Sequence, residues 1–274
     1  MTARHLFICT GLFVFLSQGV PHVFAAEWAA QYEAALRDRA ELGRVEAEIA
    51  SALVAPTEAM AERTRAASRL DDLDPELQAV WAALKEEAES LFAGGSLAAI
   101  DAQGGVVEFA ADFFGTDSLE HDVAMLRLGQ MLLAAGDPAA AGGLIEAAAA
   151  AMTARLGSGN FTTLQARAEM AQVYLAEDDL ASATSLLAQL IQESAESLGQ
   201  AHGLAQLFGQ QLETVLLATG QGDLARERLA ARCGALTRVT GPWYSGAQTC
   251  LLSMVNAVVA AGNDVAAEAQ LNMY

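Results

Sequence analysis

The sequence is poor in positive charge, aromatic residues and cysteine. Its 15 basic residues face 34 acidic ones, which gives a net charge of −19, and Lys85 is the single lysine. A chain this acidic does not bind nucleic acid or anionic lipid nonspecifically, because like charges repel. Aromatic residues make up only 6% of the chain, whereas alanine is abundant. That balance favours closely packed helices over a β-sandwich.

Long hydrophobic runs are also scarce. The most continuous one, Leu6 to Leu16, follows a short basic start at Arg4. It is shorter than the roughly 20 residues that a membrane span needs. Small or aliphatic residues then lead up to Ala25, as signal peptidase requires. We therefore expect residues 1–25 to be a signal peptide cleaved after Ala25. The mature chain would be periplasmic or secreted, without a membrane span; the alternative is an uncleaved N-terminal anchor.

The strongest feature of the sequence is a period of 42 residues. Glycine recurs with this step at Gly115, Gly157, Gly199 and Gly241. Two alanine columns keep the same step, namely Ala134, Ala176, Ala218, Ala260 and Ala141, Ala183, Ala225, Ala267. Each copy predicts two helices joined by a turn that contains Gly or Asp. A single helix pair cannot bury its own apolar face, so the copies are expected to stack.

These residues resemble a known repeat family. Four features match the tetratricopeptide repeat (TPR) pattern: a small residue (Gly129, Ala171), an aromatic residue (Tyr174), a turn glycine and the invariant alanines. The 42-residue unit, the Leu-Gly pair at two joints (Leu156-Gly157 and Leu198-Gly199) and His202 three residues after Gly199 resemble the kinesin-light-chain type of TPR. This resemblance implies an all-α, right-handed α-solenoid of stacked antiparallel helix pairs.

The period also predicts the organisation of the chain. We expect repeats at 115–156, 157–198 and 199–240, with a partial one at 241–274. A degenerate copy would occupy 73–114, where Gln103 replaces an aliphatic residue and Gly104-Gly105 should break the second helix. Residues 26–72 are expected to form an N-terminal helical segment that caps the solenoid or mediates homo-oligomerisation, ending in a linker at 71–75.

Motifs for catalysis or metal binding are missing. The two histidines beyond residue 25, His121 and His202, are not equivalent in the repeat, and no cysteine or carboxylate stands at ligand spacing. Neither a nucleophile elbow nor a serine–lysine motif is present. We therefore predict no enzyme, no catalytic residue, no metal and no cofactor.

The two cysteines beyond residue 25 form a predicted pair. Cys233 lies eight residues before the joint glycine Gly241 and Cys250 nine after it. The equivalent positions at earlier joints hold apolar pairs, so the cysteines should face each other across two helices. In an oxidising compartment this placement predicts a disulfide. Two free buried thiols are the alternative.

A partner surface is predicted on the first helices, which line the concave groove of TPR solenoids. One column of this face carries only neutral hydrogen-bonding residues, namely Gln130, Gln172, Thr214 and Asn256. Its neighbours include Arg127 and Glu169. Such a ladder could hold the backbone of an extended peptide, although a merely solvated helix face would look the same. The basic cluster Arg226, Arg228, Arg232 and Arg238 is expected to offset nearby acidic residues.

Three functions remain open at this stage. The first is a periplasmic scaffold that binds a protein or peptide and performs no catalysis. The second is a sensing or regulatory module of a separate or missing effector enzyme, such as a caspase-like (CHAT) protease, since bacterial arrays of this type often precede one. The third is a self-assembling structural protein that uses residues 26–72.

Overall fold

The structure is a computed structural model that describes residues 39–241 and 244–260, with side chains for 42–241 and 244–257. Eleven α-helices and one 3-10 turn (Leu70–Asp72) account for most of the described chain. The helices are α1 Arg39–Val54, α2 Glu58–Ala67, α3 Pro75–Ala93, α4 Ala98–Phe113, α5 Leu119–Ala134, α6 Pro138–Leu156, α7 Phe161–Ala176, α8 Leu180–Ser197, α9 Gly203–Ala218, α10 Gly222–Thr240 and α11 Ser245–Ala260. The described residues contain no strand. The predicted all-α architecture of packed helix pairs is confirmed.

The chain divides into two compact units. We call residues 56–198 the central unit; it contains α2 to α8. The terminal unit combines the chain up to Ala55 with the chain from Gly199 onward and contains α1 and α9 to α11. Within the central unit α3 to α8 each pack on the next helix, and α2 packs on α6. Within the terminal unit α9, α10 and α11 pack in succession, and α1 contacts α9.

The joints between helix pairs explain the glycine column of the period. All four column members have positive φ, between 83° and 99°, in a region that side chains rarely adopt. A residue with a hydrogen-bonding side chain then caps the next helix: Ser118 accepts from the His121 amide, and Asn160 accepts from the Thr162 amide. The glycine thus ends one pair and the cap begins the next.

Small residues allow the two helices of a pair to approach closely. Ala141 and Ala183 are fully buried, and Ala225 is 3% exposed. A Cβ atom added to Gly129 would lie 2.5 Å from Cγ1 of Ile145, closer than packed atoms can stand. The pair α5–α6 therefore depends on the absence of a side chain at Gly129.

One expectation about the degenerate repeat is wrong. Helix α4 runs without a break through Gly104 and Gly105. Two glycines cost roughly 1 kcal/mol each in helix propensity, but Ala99, Val106 and Ala110 bury the same helix in the core of the central unit. Gln103, the polar residue in an aliphatic column, is also buried, and its side chain donates to the carbonyl oxygen of Ala124 at 3.0 Å.

Parts of the predicted N-terminal and C-terminal organisation lie outside the described residues. These are the signal peptide at 1–25 with its cleavage after Ala25, residues 26–38 of the N-terminal segment, and 261–274 of the partial repeat. The linker expected at 71–75 contains the end of the 3-10 turn and Asp74, which caps α3 by accepting from two backbone amides. No helix in the described part of the chain is both long and apolar enough to cross a membrane.

Candidate functional site

The central unit contains a groove-like cavity of about 840 Å³. We call it the central groove. Part of its lining comes from α2 and the residues that follow it, which we call the first wall. The rest comes from α3, α5 and α7, the first helices of their repeats, which we call the opposite wall, and from α4. Its apolar lining comes from residues that include Trp81, Val106, Leu119, Val123 and Phe161, and its charged lining from Arg65, Lys85, Glu86, Glu89, Glu120 and Arg127.

The first wall is held against the repeats by two arginines. We call residues 57–72 the strap. Arg63 donates to the carbonyl oxygen of Leu156 at 2.9 Å, and Arg69 donates to that of Phe114 at 2.6 Å. The two acceptors are separated by one 42-residue repeat and each precedes a joint glycine. These two arginines, six positions apart on the strap, therefore donate to backbone carbonyl oxygens at the same helix end in two successive repeats.

Further bonds fasten the strap at the same joints. Arg69 also forms a two-bond ion pair with Asp117, and this guanidinium lowers the pKa of the exposed Asp117 carboxyl. The Ser68 hydroxyl donates to Oε1 of Glu120 at 2.5 Å. At the other joint, the side-chain amide of Asn160 lies 3.4 Å from the carbonyl oxygen of Met60. The strap is thus anchored on both sides of the central groove.

The opposite wall holds a continuous polar network across three first helices. Arg127 donates twice to Glu89 and once, at 3.0 Å, to Oε1 of Gln130. The amide of Gln130 in turn donates to Oε1 of Glu169 at 2.9 Å. The guanidinium also lies over the ring of Phe92, 4.7 Å from its centre. Its hydrogen bonds lower the pKa of the Glu89 carboxyl. This network aligns α3, α5 and α7 along the central groove.

The predicted partner column is only partly gathered in this network. Arg127, Gln130 and Glu169 lie together, and Gln172 follows on the half-buried face of α7. Thr214 and Asn256 belong to the terminal unit, where both are exposed, and the Thr214 hydroxyl donates to the carbonyl of Gln210 in its own helix. The side-chain amide of Gln130 therefore already uses its oxygen and its nitrogen in hydrogen bonds within the protein, and neither is free for a peptide backbone.

Sequence reasoning missed Glu120, the most unusual group in the central groove. Its side chain is 8% exposed. Oε1 accepts from Ser68 and, at 2.9 Å, from the backbone amide of Arg69. Oε2 is buried and has no hydrogen-bond partner among the described residues. An unsatisfied buried acceptor of this kind costs about 1–3 kcal/mol.

Two further buried polar residues follow Glu120. Asp122 accepts from Arg155 at 3.2 Å, and burial raises the pKa of its carboxyl despite that neighbouring positive charge. His121 is also buried. Acidic residues after Ser118 are readable in the sequence as the start of a helix. Their burial is not readable, because it depends on contacts with distant segments, the strap for Glu120 and Arg155 for Asp122.

The terminal unit holds the remaining predicted residues. The Sγ atoms of Cys233 and Cys250 lie 2.04 Å apart in a disulfide between α10 and α11. Of the basic cluster, Arg226 pairs with Asp223, and Arg232 forms two bonds with Glu213 at 2.8 and 2.9 Å. The described residues contain no cluster of His, Cys, Asp and Glu that could hold a metal ion.

His202 caps α9 in the terminal unit. Its Nδ1 accepts from the amide of Leu204 at 3.1 Å, so Nε2 carries the proton and donates to the carbonyl oxygen of Ala55 at 3.1 Å. Burial lowers the pKa of the ring, although the Ala55 bond acts in the opposite direction. The residue holds a joint together; it is not placed as a catalytic base.

Comparison with known proteins identifies the fold. No protein-family model matches the sequence, and no curated protein matches it. Among solved structures, the chain is similar to "kinesin light chain nearly identical TPR-like repeats" from Podosopora anserina, in two crystal structures of which one is a variant. Each shows a TM-score of 0.59 and 21% identity, covering 70% of this chain and 91% of the other. BtubC (BKLC) from P. vanneervenii follows with a TM-score of 0.48, 11% identity and coverage of 73% and 90%.

Proposed function

We propose that this chain, which has the fold of kinesin-light-chain-like TPR repeats, is a protein-interaction scaffold that binds an extended segment of a partner in its central groove. The observation that carries the proposal is the groove itself, an open cavity of about 840 Å³ between the strap and three first helices. Both apolar side chains and polar groups line it. This combination suits a peptide, whose backbone needs hydrogen bonds and whose side chains need pockets.

The rigidity of the walls supports the same function. The Glu89–Arg127–Gln130–Glu169 network and the arginines of the strap hold both sides of the central groove before any partner arrives. A preformed site loses little conformational entropy on binding. The proposal involves no catalysis.

A display selection tests this function. Random 12-residue peptides are selected on the full-length chain, and the enriched ones are measured against two variants by calorimetry. V123R places a charged side chain at the groove, where Val123 is 43% exposed, and should weaken binding about tenfold or more. L97R makes the same change at a residue that is 72% exposed outside the groove, and should bind like the original chain. Equal affinities in both variants would place the binding surface elsewhere.

Export to the periplasm is proposed as the setting of this function. The apolar run Leu6 to Leu16 and the cysteine pair support it, since disulfides persist in oxidising compartments. Fractionation of expressing bacteria, followed by N-terminal sequencing, should find a periplasmic chain that begins at Ala26. A full-length chain in the cytoplasm would contradict this setting.

Homo-oligomerisation through residues 26–72 remains a prediction. The described part of that segment already contacts its own chain, through the strap in the central unit and through α1 in the terminal unit. Light scattering on the full-length chain should show a dimer if the segment also joins two copies.

A further inference from the structure

The strongest unexplained group in the central groove is the buried carboxylate of Glu120. Oε1 is bonded by Ser68 and by the Arg69 amide, while Oε2 has no partner among the described residues. Because Glu120 also lines the cavity, a ligand in the groove could supply the missing donor.

The cationic side chains that line the same cavity either contact other residues or are exposed. Arg127 is committed to Glu89 and Gln130. The Lys85 ammonium lies 5.1 Å from the ring centre of Trp81. Arg65 is exposed on the strap. None of the three donates to Glu120. The guanidinium of Arg69 attracts the Glu120 carboxylate but makes its hydrogen bonds with Phe114 and Asp117, so Oε2 still has no donor among the described residues.

The surroundings of Glu120 suit a long cationic side chain. Leu119, Val123 and Trp81 supply apolar wall against which the methylene stem of lysine or arginine can pack. The net charge of −19 draws cationic segments toward the chain. A charged donor also gives a buried carboxylate a stronger bond than a neutral donor would.

We propose that the central groove selects a partner segment by a lysine or arginine side chain whose cation binds Oε2 of Glu120. This inference rests on the proposed function and adds the chemistry of the ligand. Oε2 is buried in the unliganded chain, so the incoming stem must displace side chains at the groove, where Val123 and Arg65 are exposed. Oε2, which has no partner among the described residues without the ligand, then forms an ion pair with the incoming cation.

Four matched peptides test the proposal on the full-length chain. They are nonapeptides capped at both ends, identical except for lysine, arginine, norleucine or glutamate at the centre. Binding is followed by the indole N–H resonance of Trp81, which lines the groove, assigned with W81F. The lysine and arginine peptides should bind about tenfold more tightly than the norleucine peptide, which has a similar stem and no charge.

Two protein variants localise the effect. E120Q keeps an oxygen for Ser68 and the Arg69 amide but replaces Oε2 by a donor, so it should lower the lysine affinity to the norleucine level. E86Q removes a carboxylate from the same groove, where Glu86 is exposed, and should change the affinity by less than about threefold. Because the lysine–norleucine comparison is made on the unmodified chain, it stands even if E120Q folds poorly.

Each outcome decides the proposal. No preference for lysine or arginine over norleucine, a preference for glutamate, or equal lysine affinity in folded E120Q would overturn it. If norleucine or glutamate peptides still shift the Trp81 resonance, the cation site fails while groove binding stands. If no peptide shifts it, the cation site fails, and the display selection with V123R decides the proposed function separately.

Discussion

In both the central and the terminal unit two paired helices pack closely at the same repeat position, but the residues that stand there differ. At one repeat position the central unit has Gly129, which lets α5 and α6 approach so closely that a Cβ atom would meet Ile145. The terminal unit has Glu213 at the equivalent position, buried and paired with Arg232 of α10. The repeat therefore does not require a small residue here. It requires that the space between two helices be filled or closed without an unpaired polar group.

The two units also differ in the charged residues that the first helices of their repeats contain. In the central unit this face has charged residues linked in one network. In the terminal unit α11 contains no charged residue, and the only one in α9 is Glu213. Val123 and Leu207 occupy the same repeat position, 43% and 46% exposed. Val123 lines the central groove beside the strap. Similar repeats thus present a charged groove in one unit and a neutral surface in the other.

Removal of the Glu213–Arg232 ion pair in the terminal unit is expected to have the largest effect on stability. E213A leaves the guanidinium of Arg232 buried with only Gln206 as a partner, which should cost about 3–5 kcal/mol of unfolding free energy in urea. The double variant E213L/R232M, which replaces the pair by apolar volume, should recover most of this loss. If E213A costs under about 1 kcal/mol, the pair is not the equivalent of the tight contact at Gly129.

Reduction of the disulfide comes next. Cys233 and Cys250 close a loop with a sequence separation of 17, and removing such a bond costs about 3 kcal/mol in the chain-entropy model. C233S/C250S should lower the melting temperature of the terminal unit and leave the central unit unchanged. Intact mass should increase by about two hydrogens on reduction of the purified chain; an unchanged mass would mean two free thiols.

The strap should have a smaller effect on the central unit. R69A removes the bond to the Phe114 carbonyl and the pair with Asp117, and should lower the urea midpoint of the central unit. R65A changes a neighbouring arginine of the strap that is exposed, and should cost less than about 0.5 kcal/mol. Equal losses would mean that the joint carbonyls do not hold the strap.

The smallest effect is a pH dependence of the terminal unit. Because burial lowers the pKa of His202 below its unfolded value of about 6.5, the unfolded chain takes up a proton first as the pH falls. The stability that this residue contributes is therefore complete above about pH 6.5 and is lost below it. H202N, which keeps a capping side chain, should lose less melting temperature between pH 7.5 and 5.5 than the original chain. Identical losses would assign the pH dependence to other groups.

The sequence predicted the repeats because their joints depend on local backbone chemistry. A glycine with positive φ followed by a capping residue leaves a signal at every copy, as at Gly157 and Asn160. The break expected at Gly104-Gly105 was wrong because helix propensity is weak beside the burial of Val106 and Ala110.

The candidate site was harder to predict because it is made by contacts between distant segments. The polar column through Gln130 was visible, but its bond to Glu169 joins α5 to α7, two helices that are far apart in sequence. Arg63 and Arg69 lie outside the repeat, so no period marks them. The burial of Glu120 follows only once the strap is in place.

Hydrogen exchange with a selected peptide tests the central claim most directly, since it compares both first-helix faces in one measurement. Amide exchange is followed along the full-length chain with and without the peptide. The account predicts slower exchange in the strap and at the starts of α5 and α7, with no change in α9 and α11. Protection confined to α9 and α11, around Leu207, Thr214 and Asn256, would contradict it and place the partner on the neutral face.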